Sequence, residues 1–202
     1  MRNATTQPGK APQRRGLAGA ALALFTFATW APAIHGEGAQ DRFWQHKQWR
    51  SVATENGLGE LQCTVLTGGD GDNRFSVAID MDGNFQIEFR EQLVRGYPSA
   101  LHADDEILFT IEGAAPMTYE DVTVFDEQDE YGDRVLRAAI PSGYAADITG
   151  MMRKGTNLTV QRINPTTRQR ELIQRFPLAG FTANLLKIGE WCAFDPNDIF
   201  VP

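Results

Sequence analysis

Apolar and polar positions alternate with period two along most of the chain beyond residue 44. Lys47 to Ala53 alternates around Trp49 and Val52. Glu60 to Leu66 sets Leu61, Cys63 and Val65 on one face, and Arg74 to Asp80 does the same with Phe75, Val77 and Ile79. Asn84 to Arg90 aligns Phe85, Ile87 and Phe89, and Glu106 to Glu112 aligns Ile107, Phe109 and Ile111. Tyr119 to Phe125, Val135 to Ile140, Leu158 to Ile163 and Glu171 to Phe176 complete nine predicted strands. Such alternation marks strands with one buried face. Between the third and fourth runs, Met81-Asp82-Gly83-Asn84 predicts a hairpin, because Asp-Gly accepts positive φ.

Two segments break the period. Ser142 to Lys154 predicts a helix with Ser142 as N-cap and Gly155 just past its end. Tyr144, Ile148, Met151 and Met152 fall on one side of it. Gly180 to Ile188 predicts a second helix, with Phe181, Leu185 and Ile188 as its buried stripe and Gly189 as its end. Many short alternating strands and two brief helices predict a mainly β domain. The expected architecture is an antiparallel β-sandwich, or a flattened barrel, of about nine strands.

The N-terminus follows a different rule. Arg2, Lys10, Arg14 and Arg15 precede an apolar run from Leu17 to Trp30 and then Ala31-Pro32-Ala33. A basic start, a short apolar core and a small-residue exit predict a secretory signal peptide over residues 1–33. The alternative is an uncleaved helix that anchors the chain in the inner membrane. Arg14-Arg15 permits twin-arginine export, but Gly16-Leu17 does not complete that motif, which favours the general secretory route. Residues 34–43 read as a flexible leader and 44–202 as one domain, with no membrane span once the signal is removed.

Composition narrows the partners. The 202 residues carry a formal charge of −7, and the pI near 5.0 and mean hydropathy of −0.33 argue against a polytopic membrane protein or a nucleic-acid binder. Residues 1–33 hold four basic side chains and no acid, so the charge falls from −7 to −11 over the remaining 169 residues. An electrostatic partner is therefore expected to be basic or a cation. In an oxidising compartment the only two cysteines, Cys63 and Cys192, predict one disulfide; the alternative is two buried thiols.

Met152-Arg153-Lys154-Gly155 before the strand at Leu158, with Phe176-Pro177-Leu178-Ala179-Gly180-Phe181 later, resembles the closing motif of the invasion-associated locus B family. The likeness covers roughly residues 44–190, and its structural positions are Gly155, Pro177, Gly180 and Phe181. The resemblance implies an exported β-sandwich of a Gram-negative cell, periplasmic or surface-bound, linked to host invasion in some pathogens. It supplies no catalytic residues. Independently of the family, Gly180 suits a sharp strand-to-helix turn, and Pro177 suits the exit from a sheet ladder.

Candidate chemistry is sparse. Ser99, His102 and Asp104 lie close in sequence, but Gly96-Tyr97-Pro98-Ser99-Ala100 is not a nucleophile elbow. Asp70, Asp72 and Asn73 form a Gly-rich loop with oxygen ligands for a weak calcium site, and serve equally as a turn. His35, His46 and His102 lack zinc spacing, so no metal or other cofactor is expected. Glu120, Asp121, Asp126, Glu127, Asp129, Glu130 and Asp133 form an acidic patch able to steer a cationic protein, or simply a solvated loop. Trp44 and Trp191 are candidate interface anchors, whereas Trp49 is expected in the core. Asn157-Leu158-Thr159 is a glycosylation sequon without use in an ordinary periplasm. The leading expectation is a non-enzymatic envelope protein acting through contacts with a protein or envelope component. A periplasmic hydrolase using carboxylates is the rival, and the anchored accessory subunit is the third reading.

Overall fold

A computed structural model describes residues 41–55, 59–69, 73–80, 83–92, 99–113, 118–119, 122–128 and 132–196. All belong to the unit Glu37–Pro202. The predicted signal peptide, residues 34–40 of the leader, Asp70, Asp72, Glu120, Asp121, Asp129 and Glu130 lie outside the described residues.

Eleven strands are described: β1 (Arg42–His46), β2 (Trp49–Glu55), β3 (Leu61–Gly68), β4 (Asn73–Ile79), β5 (Phe85–Gln92), β6 (Glu106–Glu112), β7 (Thr118–Tyr119), β8 (Thr123–Gln128), β9 (Arg134–Ile140), β10 (Asn157–Ile163) and β11 (Arg170–Pro177). A 3-10 turn, Ser142–Tyr144, leads into α1 (Ala145–Lys154), and α2 (Phe181–Trp191) follows β11. A seven-stranded antiparallel sheet runs β1-β2-β3-β4-β5-β9-β8. A smaller sheet runs β11-β10-β6, with the two-residue β7 on its edge. Both sheets are open, so the barrel alternative fails: β1 and β8 end one sheet, β11 and β7 the other.

The alternation explains the layers. Trp49, Ser51 and Ala53 on β2, Cys63, Val65 and Thr67 on β3, and Phe75, Val77 and Ile79 on β4 are all buried. They share one face of the large sheet, as residues two apart on a strand must. The smaller sheet contributes Phe109 and Phe176. Phe75 lies 5.9 Å from Phe109 and 6.1 Å from Phe176, and Phe89 lies 6.2 Å from Phe176, between ring centroids. Rings from four strands thus fill the space between the layers, at about 2–3 kcal/mol of burial for each. The helix α2 packs on β1, β2 and β3. Its Phe181, Leu185 and Ile188 are fully buried, the stripe expected from the spacing.

Two buried polar groups fix how α2 docks. The Ser51 hydroxyl donates to the Asn184 side-chain oxygen at 2.8 Å, and the Asn184 amide donates to the Gly180 carbonyl at 2.9 Å. Both residues are wholly buried, so each would be costly without the other. The end of α2 is then tied down: Cys63 on β3 and Cys192 form a disulfide across 129 residues of sequence.

The structure corrects several expectations. Tyr119 to Phe125 is not one strand. Tyr119 pairs with Phe109 in the small sheet, while Thr123 to Gln128 pairs with β9 in the large one. Period-two patterning marks a buried face but not which sheet owns it. Residues 42 and 43, read as leader, belong to β1, whose exposed side chains give no alternation. Its register comes instead from the tight turn at Lys47, φ 56°. Ser142 opens the 3-10 turn and does not cap α1, whose first turn follows Tyr144 without a side-chain cap. Tyr144 itself is exposed. Gly155 does stand just past the end of α1, but with extended backbone (φ −78°) rather than a left-handed one. It is glycine because a Cβ there would lie 2.5 Å from Ile111 Cγ2 and 2.9 Å from Leu178 Cδ1. Gly189 lies inside α2, its missing Cβ making room for Pro196 at 2.6 Å.

Candidate functional site

Pro177, Gly180 and Phe181 meet at the joint between β11 and α2. The Pro177 carbonyl accepts from Trp49 Nε1 at 2.8 Å, linking the two sheets. Gly180 adopts φ 103°, and a Cβ there would sit 2.6 Å from the His46 carbonyl oxygen. Phe181 is fully buried and meets Trp49 edge-on at 4.9 Å. These residues build the core, and Trp49 is buried as its alternation predicted. Trp44 is half-buried and stacks on His46 at 5.8 Å, and Trp191 lies beneath Lys187 at 5.5 Å.

The residues weighed for nucleophilic chemistry are joined differently. Ser99 donates to Glu91 Oε2 at 2.7 Å, and Glu91 also accepts from the backbone amides of Ala100 at 2.8 Å and Leu101 at 3.0 Å. Glu91 is buried at the end of β5, so this carboxylate organises the 99–101 loop. The backbone amide of His102 donates to Asp105 at 2.8 Å. Of the calcium-loop residues, only Asn73 is described, at the start of β4. Among the described residues no three His, Cys, Asp or Glu side chains are grouped to hold a metal ion.

Four members of the acidic patch lie outside the described residues, and Asp133 is exposed beside β9. Asp126 and Glu127 sit on the edge strand β8. Asp126 takes a bidentate pair from Arg134 at 2.8 and 2.6 Å, and Glu127 takes Arg137 at 2.7 Å. Hydrogen bonds from Arg134 and Arg137 hold these two carboxyls below their ordinary values. Arg137 also lies 3.4 Å from Glu88 and 4.4 Å from the centre of the Phe125 ring. Asp126 and Glu127 are therefore already matched by cations of their own strand pair.

Positive side chains gather on another part of the surface. A cleft of about 510 Å³ opens between the β1–β2 turn, the ends of β3 and β4, and β11. Among the described residues that line it, Lys47, Arg50 and Arg175 are charged and none is acidic. Arg50 donates to the Gly68 carbonyl, and Arg175 pairs with Glu112 at 3.3 Å. From Arg50 the positive charge continues over the outer face of the large sheet. Arg74 on β4 faces Arg90 on β5 as direct cross-strand partners. The Nε of Arg74 is buried without a hydrogen-bond partner. Burial first, and then the charge of Arg90, hold the Arg74 guanidinium below its usual value; Glu88 acts in the opposite sense. Sequence reasoning missed this row. Its signal is faint: single arginines at outward positions of three strands, far apart in the chain.

These features define a mainly β protein of two packed antiparallel sheets, closed by one disulfide, with an arginine-rich outer face. Among the described residues no helix is long and apolar enough to cross a membrane. In comparisons with protein families, curated proteins and solved structures, nothing matches the chain.

Proposed function

We propose that the chain is an exported protein of the bacterial envelope that acts by contact with a protein or envelope component, without catalysis, as the invasion-associated locus B proteins it resembles are expected to act. The observation that carries this reading is the Cys63–Cys192 disulfide. Such bonds persist in oxidising compartments and are rare in the cytosol. The basic and apolar N-terminal pattern ending in Ala31-Pro32-Ala33 supports the same route. Contact rather than turnover is supported by what the polar groups already do. Ser99 and Glu91 hold a loop, and Asp126 and Glu127 hold arginines.

The test is the intact mass and location of the chain expressed from its full sequence. A periplasmic product beginning near Ile34, with neither cysteine open to alkylation, is expected. A product that keeps Met1 in the membrane fraction refutes cleavage and export to the periplasm. Turnover of an ester, glycoside or peptide panel, abolished by one acidic substitution, refutes the non-catalytic role.

A further inference from the structure

We propose that the outer face of the seven-stranded sheet, where Arg50, Arg74 and Arg90 converge beside the Lys47 cleft, binds a phosphate-type oxyanion. Like charges directly opposite on neighbouring strands repel. Arg74 and Arg90 stand in that relation. Glu88 offsets it only in part, because Arg137 engages both Glu88 and Glu127. Arg74 and Arg90 form no ion pair among the described residues. The buried Nε of Arg74 is an unused charged donor, and leaving such a group unpaired is costly.

The geometry suits an oxyanion. Paired strands lie about 4.8 Å apart, so the Arg74 and Arg90 forks can close on one tetrahedral group from two sides. Gly69 lies at the junction with the third arginine. A Cβ on it would lie 3.5 Å from Arg50 Nη2 and 3.5 Å from Arg74 Cδ, so both guanidinium arms pass over this one small residue. Two guanidinium forks facing one point favour a phosphate dianion over a single carboxylate. Burial, and then the charge of Arg90, lower the proton affinity of Arg74. The surrounding acidic chain, at −7 overall, weakens capture of monovalent anions at long range and leaves the short-range forks to select. Anion capture on this face does not depend on export.

Pyrophosphate added to the oxidised full chain tests the site, read by the arginine Nε–H resonances and by thermal melting, with sodium chloride at equal ionic strength as control. Pyrophosphate is expected to shift the Arg74 and Arg90 signals and to raise the melting temperature beyond the chloride control. Arg74→Gln and Arg90→Gln should each weaken binding about tenfold or more. In phosphate-free buffer Arg90→Gln should melt no lower than wild type, because it removes a repulsion. Phosphatidic acid vesicles that compete with pyrophosphate mark a lipid-borne phosphate, and vesicles without effect mark a soluble one. Equal responses to chloride and pyrophosphate overturn the proposal. So does a double variant that binds like wild type, or an Arg90→Gln protein that is less stable without phosphate.

Discussion

Reducing the Cys63–Cys192 bond is expected to cost the fold about 5 kcal/mol. The bond joins β3 to the residue after α2 with a sequence separation of 129. In the chain-entropy description, a loop of that length removes about 17 cal/mol/K from the unfolded chain, or about 5 kcal/mol at 25 °C. A domain of this kind holds roughly 5–15 kcal/mol in all, so the tether accounts for a third or more of it. The assay is urea unfolding followed by tryptophan fluorescence, with and without a phosphine reductant. At a slope of about 2 kcal/mol/M the midpoint should fall by about 2–3 M. Reduced wild type keeps both sulfur atoms, so packing volume is unchanged and the tether alone is measured. A double Cys63→Ala, Cys192→Ala variant should lose more, because Cys63 is fully buried and its sulfur leaves a void. A midpoint shift below about 0.5 M at equal slope would refute the reasoning. It would mean that the packing of Phe181, Leu185 and Ile188 keeps the chain end near β3 even in the denatured ensemble.

Gly180→Ala should cost about 2–4 kcal/mol, since it combines a left-handed φ with a Cβ 2.6 Å from the His46 carbonyl. Gly83→Ala shares the positive φ but meets nothing within 4 Å, so about 1 kcal/mol is expected; paired thermal melts distinguish the two. Asn184→Ala should cost about 2–3 kcal/mol by removing a buried amide that accepts from Ser51 and donates to the Gly180 and His46 carbonyls, against under ~0.5 kcal/mol for the exposed Leu186→Ala. Asp126 and Glu127 should titrate below their ordinary values of 3.8 and 4.5. Because the folded values are the lower ones, any stability they confer is complete above the ordinary carboxylate range and fades as the pH falls through the folded values. Carboxyl carbon NMR checks this: the midpoints should rise in Arg134→Gln and Arg137→Gln respectively, and unchanged midpoints would contradict the pairing.

The strands with one buried and one wet face were readable from the chain alone. Phe75, Val77 and Ile79 announce β4 because exposing each would forfeit burial energy, and the same holds for β3, whereas in β6 and β10 the intervening Leu108 and Thr159 are buried as well. The two cysteines indicated their bond by number and compartment. What escaped was set by distant partners. The β1 strand has no buried stripe and exists through its ladder to β2. The change of sheet between Tyr119 and Thr123 leaves the period intact. Gly155 does follow the end of α1, but its small size answers the distant Leu178, and Gly189, which looks like a helix stop, lies inside α2 and leaves room for Pro196. The arginine row needs the register of β4 against β5, and no local pattern carries a register.

The order in which the chain is made bears on how it can fold. The helix α2 covers β1, β2 and β3, so an emerging polypeptide must carry Trp49 and Cys63 uncovered until Phe181 to Cys192 are free. The early strands can pair but cannot be sealed, and the nascent domain stays open, with its apolar lining exposed to chaperones or to premature association. Closure follows the synthesis of α2 rather than that of the sheet.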